Sequence, residues 1–330
     1  MASPLSALAR RLGRSGEPAT RPHLTLPDDA PPGARYRSAF GGLWTDLDAA
    51  PFLLASRVDQ GRILEADRAL IETWIAFGCV VLEGAVSDAM IDRAMADIDA
   101  ILDGHGPERA MTYWEDGVHR QGPAQRELMA RREAKLLDAH AVSGAVRALI
   151  FAEPIARFLR NIFDAPPWAF QTLTFERGSQ QPVHQDTAFV RVDAPMELAA
   201  SWIALEDVRP GSGELVYHPQ SHLIPDIVFE GGEKAIPAHV TRYETYEADL
   251  QQRLKDAGLE RKTFLPKKGD VFIWSADLAH GGGPVTDPAL TRKSLVTHYC
   301  PATREPAYPT GRPRTRRTET PYGEVYSAAY

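Results

Sequence analysis

The sequence predicts an α+β protein with a mainly β core, in which N-terminal helices flank an antiparallel sandwich or barrel. Before Pro167, apolar residues recur at helical spacing between capping residues. After Pro167, short runs rich in β-branched and aromatic residues alternate with turns, a pattern typical of antiparallel sandwiches and barrels. No linker separates the two parts, so we expect one domain over 61–301, helical over 61–166 and β-rich over 167–301.

Two helices and a strand are expected early in this domain. Residues 64–77 have apolar positions at helical spacing and end at Gly78, a residue suited to the left-handed conformation that terminates helices. A short buried strand, Cys79–Leu82, follows. Ser87 is then expected to cap a second helix that stops at Gly104.

The next stretch has weaker signals. Residues 105–135 are polar and are expected to be irregular, with the charged run Arg126–Lys135 forming a solvated helix face. Pro154 is a suitable first-turn residue for a helix over Ile155–Phe163.

Five strands are expected after Pro167: Phe170–Phe175, Leu198–Val208, Glu214–Tyr217, Asp270–Trp274 and Ser294–Tyr299. One helix, Tyr243–Ala257, interrupts them and ends at Gly258. Residues 1–60 are expected to be an irregular lead-in, and 302–330 a tail or a lid rich in arginine and tyrosine.

The composition is that of an ordinary soluble globular protein, with 330 residues, 44% hydrophobic and 25% charged. The formal net charge of −7 argues against general binding to nucleic acid or to an anionic membrane. Cys79 and Cys300 are too few and too far apart for a disulfide framework or a cysteine-based zinc site. We expect a reduced, cytoplasmic protein that acts on a small molecule; its oligomeric state cannot be read from the sequence.

The candidate chemistry centres on His184-Gln185-Asp186. Ten histidines and 44 acidic residues give about 1.3 His-x-Asp/Glu matches by chance, so this motif proves nothing alone. Its context is informative, because strand alternation points His184 and Asp186 to one face, and His280 follows a later strand. Two imidazoles and one carboxylate form the facial triad of non-heme Fe(II) oxygenases, although zinc also accepts these ligands.

Arg292 lies 12 residues after His280, at the start of the next strand. A guanidinium grips a carboxylate through two hydrogen bonds. A triad with a nearby arginine is what 2-oxoglutarate requires as a cosubstrate: its keto-acid end chelates iron, its distal carboxylate pairs with the arginine, and one position is left for dioxygen.

With these residues in place, the chain resembles the phytanoyl-CoA dioxygenase family of Fe(II)/2-oxoglutarate-dependent oxygenases. The resemblance covers about Trp74 to Tyr299. It is carried by FGCVVLEG, FQTLTFERG, PVHQD, SWIALEDVRPGSGELVYHPQSH, and KKGDVFIWSADLAHGGG followed by TRKSLVTHY. The resemblance implies a double-stranded β-helix (a jelly roll, cupin-like) with flanking N-terminal helices.

The resemblance also implies roles for individual residues. His184, Asp186 and His280 are the iron ligands, and Arg292 binds the distal carboxylate of 2-oxoglutarate. Gln171, Gln185 and Trp202 match positions that line the cosubstrate and substrate side of the cavity, although Trp202 is equally expected as a core residue. Apart from the resemblance, Phe189 and Arg191, which lie just past the metal motif, and Trp114 are further candidates for the substrate pocket.

Two departures from the family pattern stand out. Gly282 occupies a position where some members have a serine that also bonds 2-oxoglutarate, and the turn before Arg292 is slightly longer than in some relatives. His222 is expected to be a buried residue that anchors a turn, and His298 a packed, hydrogen-bonded residue, rather than metal ligands.

The expected activity is hydroxylation of an unactivated C–H bond of a small metabolite or biosynthetic intermediate, with Fe(II), 2-oxoglutarate and O2, and with release of succinate and CO2. Halogenating relatives have Ala or Gly at the carboxylate position, so Asp186 favours hydroxylation, desaturation or ring closure. An acyl-CoA substrate is the alternative substrate class. A 2-oxoglutarate-independent, cupin-type metal protein is the competing function, and an interaction protein with a vestigial site is a third.

Overall fold

The computed structural model describes residues 24–237, 239–240, 243–307, 317–321 and 323–328. Within them, a large antiparallel sheet faces a small one, and helices from the first half of the chain cover the outer face of the large sheet. The expected class, α+β with a mainly β core, is confirmed. No helix among these residues is long and apolar enough to cross a membrane.

Six α-helices are described: α1 (Ala50–Asp59), α2 (Arg68–Phe77), α3 (Asp88–Leu102), α4 (Gly144–Ile150), α5 (Glu153–Phe163) and α6 (Glu244–Asp256). The local signals act as expected, because Gly78 ends α2 at φ 72° and the Ser87 side chain caps α3 by accepting the Met90 amide. Helix α1 lies in the stretch expected to be an irregular lead-in, so that expectation is wrong for Ala50–Asp59.

Thirteen strands are described: β1 (Cys79–Leu82), β2 (Ala110–Glu115), β3 (Val118–Pro123), β4 (Lys135–Leu137), β5 (Pro167–Phe175), β6 (Ala199–Ala204), β7 (Leu215–Tyr217), β8 (Lys262–Phe264), β9 (Val271–Ser275), β10 (His280–Gly282), β11 (Ser294–Pro301), β12 (Thr318–Glu319) and β13 (Val325–Tyr326). The large sheet has the order β1-β9-β6-β11-β5-β4-β2-β3, and the small sheet has the order β10-β7-β8. The five strands expected after Pro167 are all present, with ends shifted by a few residues.

The prediction for 105–135 is wrong. β2 and β3 form a hairpin, and β4 joins the hairpin to β5. Arg126–Ala130 is a short 3-10 turn rather than a solvated helix, and Lys135 begins β4. The β3 side chains are mostly exposed, so this strand carries no alternation of apolar and polar residues that the sequence pattern can reveal.

Side chains along β6 alternate between the two faces of the large sheet, and the two faces have different surroundings. Ala199 and Ile203 pack against the helices, whereas Ala200, Trp202 and Ala204 face the space between the two sheets. Side chains two residues apart point to the same face of a strand, so the large sheet buries one face under helices and offers the other to the interior. The candidate site lies on that interior face.

The described parts of the C-terminal stretch pack against the sheet. β13 pairs in parallel with β5 at Trp168 and Ala169, and the Trp168 indole donates to the Ser327 hydroxyl at 2.9 Å. His140, which is fully buried, also contacts the Ser327 carbonyl oxygen through Nε2 at 2.6 Å. The arginines at 312, 314 and 316 and the tyrosines at 322 and 330 lie outside the described residues.

Candidate metal centre

The structure brings His184, Asp186 and His280 together in the interior. Their ligand atoms all lie within 4.8 Å of one another, and all three residues are buried. His184 lies opposite His280 in an isolated antiparallel bridge, while His280 begins β10 and pairs with Tyr217 of β7. Asp186 opens a short 3-10 turn directly after the bridge, which turns its carboxylate back towards both imidazoles.

Backbone carbonyls orient the two imidazoles. The Nδ1 atom of His184 lies 2.9 Å from the Pro182 oxygen, and that of His280 lies 2.9 Å from the Leu278 oxygen. Because a carbonyl only accepts, each Nδ1 donates, which leaves each Nε2 as the ring nitrogen that can bind a metal. The two Nε2 atoms lie 3.6 Å and 3.7 Å from Asp186 Oδ1. Two imidazole nitrogens and one carboxylate oxygen therefore face one small volume, as a divalent metal requires.

The second oxygen of Asp186 is held separately. Oδ2 accepts the Trp274 indole N–H at 2.8 Å and lies 3.6 Å from His298 Nε2. Burial opposes ionisation of Asp186, but His280, His184 and His298 outweigh it and hold the pKa of this carboxyl well below its usual range. Burial lowers the pKa of His280 to about 4, despite the opposing charge of Asp186. The site thus presents an ionised carboxylate with a neutral His280 at neutral pH.

A cavity of about 360 Å³ opens in front of these ligands. Its polar lining away from the triad consists of Thr112, His119, Lys135, Gln171, Ser179, Gln181, Arg292 and His298. Its apolar lining consists of Leu137, Leu173, Phe175, Phe189, Val190, Trp202, Leu215, Trp274 and Val296. Within the described chain, Asp186 is the sole carboxylate on this wall.

Arg292 reaches this cavity from the start of β11. It is 3% exposed, and its Nη1 donates to the Gly213 carbonyl at 3.0 Å. Its guanidinium lies 5.8 Å from the Phe175 ring centre and 5.5 Å from that of Trp202, yet its Nε has no hydrogen-bond partner in the described part of the chain. Burial lowers the pKa of Arg292 to about 10, against the opposing charge of Glu214. The described residues place no carboxylate within ion-pair distance of this cation.

Lys135 is a second cation on the cavity wall, and sequence reasoning missed it. It stands opposite Thr112 of β2, and its Nζ lies 5.9 Å from the Phe175 ring centre. Burial lowers its pKa, although the charge of Glu133 opposes this. One sequence signal could have placed Lys135 on a strand: it ends a charged run and is followed by the apolar pair Leu136 and Leu137, with which a strand begins.

The other predicted pocket residues divide into two groups. Gln171 and Trp202 line the cavity, and the Trp202 indole N–H is buried without a hydrogen-bond partner among the residues that the structure describes. Gln185 does not line it; its side-chain amide donates to the Asp277 carbonyl at 2.8 Å, behind the metal ligands. The expected cofactor contact of Gln185 therefore has no counterpart in this geometry, because the residue between two inward-pointing ligands points the other way.

The further candidates divide in the same manner. Phe189 lines the cavity beside His184. Arg191 instead donates to the Ile236 carbonyl, and the Trp114 indole donates to Glu133. His222 anchors a turn, as expected, through its contact with the Ile75 carbonyl at 3.3 Å.

His298 is packed, as expected, but it lies beside Asp186. Its ring stacks on Phe170, and its Nδ1 is buried with no hydrogen-bond partner within the described chain.

The chain at Gly282 leaves no room for a side chain. A Cβ atom there would lie 2.7 Å from the Gln180 amide nitrogen and 2.8 Å from the Ser179 hydroxyl. Ser179 lines the cavity together with Arg292. The Ser179 hydroxyl therefore lies beside the space that a side chain at 282 would need.

Comparison with known proteins agrees with this geometry. The family model for phytanoyl-CoA dioxygenase matches residues 75–294. Among curated proteins, no match was found.

Solved structures resemble the chain more widely. The epimerase SnoN of nogalamycin biosynthesis, described as non-heme and alpha ketoglutarate dependent, has a TM-score of 0.53 and 22% identity, covering 75% of this chain and 87% of that chain. SnoN in complex with Fe3+, alpha ketoglutarate and nogalamycin RO has a TM-score of 0.55 and 19% identity, covering 79% and 98%. EctD from S. alaskensis, with 2-oxoglutarate and 5-hydroxyectoine, has a TM-score of 0.52 and 18% identity, covering 73% and 80%.

At these identities the similarity establishes the fold, and the expected jelly roll is confirmed. The family model spans two thirds of the sequence and includes the triad. The chain belongs to the phytanoyl-CoA dioxygenase family.

Proposed function

We propose that this protein is an Fe(II)- and 2-oxoglutarate-dependent dioxygenase that hydroxylates a C–H bond of a small molecule. The observation that carries the proposal is the pairing, in one cavity, of a His-Asp-His triad with a buried arginine that has no carboxylate partner among the described residues. Iron bound at this triad supplies the redox chemistry, in which O2 and 2-oxoglutarate yield succinate, CO2 and the hydroxylated product. Family membership and the fold support the same class.

The residues present fit this cofactor set. Three residues that line the cavity each have a buried nitrogen with no hydrogen-bond partner among the described residues: Arg292 Nε, Trp202 Nε1 and His298 Nδ1. Buried polar groups without partners are rare in native proteins, and each calls for a ligand or another explanation. His184, Asp186 and His280 would hold the metal. Two imidazoles and one carboxylate are ligands that suit a divalent ion such as Fe(II).

Arg292 is the proposed partner of the distal carboxylate of 2-oxoglutarate. Its desolvated guanidinium, flanked by Phe175 and Trp202, makes a charge-assisted hydrogen bond stronger than it is in water. Lys135, whose Nζ lies 5.9 Å from the Phe175 ring centre, adds a second positive charge to the cavity wall. Both cations favour a dianionic cosubstrate.

Asp186 bears on the reaction outcome. A carboxylate at this position completes the triad, which leaves three positions for the keto acid and O2 and none for a halide. We therefore propose hydroxylation. Desaturation and ring closure remain the alternative outcomes, and the similar solved structures include an epimerase and a carbocyclase.

The proposed substrate is a small polar molecule. The cavity of about 360 Å³ would also hold 2-oxoglutarate, which limits the size of the substrate. An acyl-CoA would need cations at the rim for its phosphates. The exposed arginines near the hairpin are already ion-paired, Arg131 with Glu115 and Arg132 with Glu133, which weakens that alternative.

The test is anaerobic titration of the apoprotein with Fe(II) and then with 2-oxoglutarate, followed in the visible spectrum. A keto acid chelated to ferrous iron gives a weak metal-to-ligand charge-transfer band, and succinate gives none. Arg292→Ala should raise the 2-oxoglutarate concentration needed for the band more than tenfold, and Lys135→Met should raise it several-fold. Arg304→Ala, which removes an ion pair with Glu197 outside the cavity, is the control and should leave it unchanged.

Two results would count against the proposal. If Fe(II) binds and 2-oxoglutarate produces no band, the protein is a cupin-type metal protein that does not use this cosubstrate. If the band forms equally well in Arg292→Ala and in the wild-type protein, the assigned role of Arg292 is wrong.

A further inference from the structure

Lys234 is a buried cation behind the metal centre. Its side chain is 1% exposed, and its Nζ donates to Asp226 Oδ1 at 2.8 Å and to Asp277 Oδ2 at 2.6 Å. Burial opposes its charge, but Asp277 and Asp226 outweigh burial and raise the pKa of Lys234. Lysines are almost never fully buried unless they are paired, and burying such a pair costs several kcal/mol per ion. This arrangement therefore calls for a reason other than stability.

Asp277 connects Lys234 to both halves of the metal motif. Its Oδ1 accepts the Thr187 hydroxyl at 2.5 Å, and Thr187 directly follows the ligand Asp186. Its backbone oxygen accepts the Gln185 side-chain amide at 2.8 Å. Asp277 itself lies three residues before the ligand His280. One residue thus ties the segment that carries two of the ligands to the segment that carries the third.

Asp226 connects the same lysine to a different part of the molecule. It accepts the Ser38 hydroxyl and the Ala39 amide, each at 3.0 Å. Phe40 lies against the lysine, with Nζ 5.8 Å from its ring centre. Asp226 therefore connects Lys234 to the segment 38–40, near the start of the described chain, rather than to the metal ligands.

The segment that carries Lys234 also contacts the metal motif directly. The Ile236 amide donates to the Ala188 carbonyl at 3.0 Å. Further along the chain, the Tyr246 hydroxyl accepts the Gln185 amide at 2.8 Å. These contacts fix the backbone of the motif, whereas Lys234 acts on the Asp277 carboxylate that orients Thr187.

We propose that Lys234 is a positioning residue for the metal centre, acting through Asp277 to hold the His184–Asp186 segment and the His280 segment in register. This inference rests on the proposed function only in requiring that the triad bind Fe(II). Groups that hydrogen-bond a metal ligand directly change metal affinity by about ten- to a hundredfold when they are removed, and Lys234 acts further out, so we expect the lower end of this range.

The test compares Fe(II) affinity with the stability of the apoprotein in three variants. Lys234→Met removes the cation. Thr187→Val removes only the hydroxyl contact to Asp277 and is nearly isosteric, so it keeps the test valid if Lys234→Met does not fold. Asp226→Asn is the matched control, because it breaks the other ion pair of the same lysine and leaves the Asp277 side intact.

Positioning predicts that Lys234→Met and Thr187→Val each weaken anaerobic Fe(II) binding about tenfold or more, while Asp226→Asn stays within about twofold. All three can lower the melting temperature of the apoprotein. If Fe(II) affinity falls in Asp226→Asn as much as in Lys234→Met, or stays unchanged in Thr187→Val, Lys234 has a structural role alone. Fe(II) binding without any effect of 2-oxoglutarate in the wild-type protein would overturn the proposed oxygenase and leave this inference standing.

Discussion

His184 and His280 are direct partners in an antiparallel bridge, in which each backbone amide donates to the other's carbonyl oxygen, at 2.8 Å and 2.9 Å. Residues opposite each other in such a pair project their side chains to the same face, and the two ring centres lie 4.5 Å apart. Two ligands that are 96 residues apart in sequence are thus placed by a single backbone contact.

The first prediction concerns these two ligands. His184→Ala and His280→Ala should each weaken Fe(II) binding more than about a hundredfold, a loss larger than removal of an outer contact causes. His239→Ala is the control, because this histidine is 71% exposed and lies outside the triad. Calorimetric titration under anaerobic conditions measures the three affinities. Comparable Fe(II) binding by His280→Ala and His239→Ala would show that the metal lies elsewhere.

The second prediction concerns Ser179 and Gly282. Because the Ser179 hydroxyl lies where a side chain at 282 would begin, Ser179→Ala should weaken 2-oxoglutarate binding by about tenfold, the value of one hydrogen bond to a charged group. Gly282→Ser should weaken it further, since its Cβ would lie 2.7 Å from the backbone nitrogen of Gln180. Ser212→Ala should have no effect, because Ser212 is buried but outside the cavity lining.

The visible-band titration measures all three affinities. Tighter binding in Gly282→Ser would mean that the backbone at 180 yields and that the serine of other family members can be restored here.

The third prediction concerns pH and His140. This residue is fully buried between Thr172 and Ser327, and burial lowers its pKa to about 4. The unfolded chain takes up a proton below about pH 6.5, while the folded protein keeps His140 neutral until about pH 4. The unfolded state therefore binds more protons in this window, and stability falls as the pH is lowered through it.

Denaturant unfolding of the metal-free protein at pH 7 and pH 5 checks this. The loss of unfolding free energy between the two pH values should be smaller in His140→Gln by about 2 kcal/mol, because that part of the loss belongs to His140. Part of the loss should persist, since burial also lowers the pKa of His222 to about 4. Parallel pH profiles for both proteins would contradict the assignment.

Local signals made much of the fold predictable. Ser87 and Gly78 act on their own helix ends, so their effect can be read without knowing the rest of the molecule. The triad was predictable for a related reason, because two ligands lie two residues apart and the family resemblance identified the third.

Contacts between distant segments could not be read in this way. Lys135 lies in a polar run, and its place on the cavity wall depends on β4 joining β5. The contacts of Lys234 bring together segments that start near Ser38, Asp226 and Asp277. No periodicity in the sequence indicates these contacts, because each of the three segments is irregular by itself.

The last prediction uses two glycines with the same backbone conformation and different surroundings. Gly78 and Gly61 have φ of 72° and 71°, but a Cβ at Gly61 meets open space, whereas one at Gly78 would overlap the His222 ring, with Cγ at 2.6 Å. Gly61→Ala should cost about 1–2 kcal/mol, the strain of a left-handed residue with a side chain.

Gly78→Ala bears the same strain and must also displace His222, whose Nε2 contacts the Ile75 carbonyl at 3.3 Å. It should therefore cost about 1–3 kcal/mol more, as overpacking does in a close-packed interior. Urea unfolding of both variants measures the difference. Equal losses would mean that the ring moves aside without cost and that His222 does not anchor the turn.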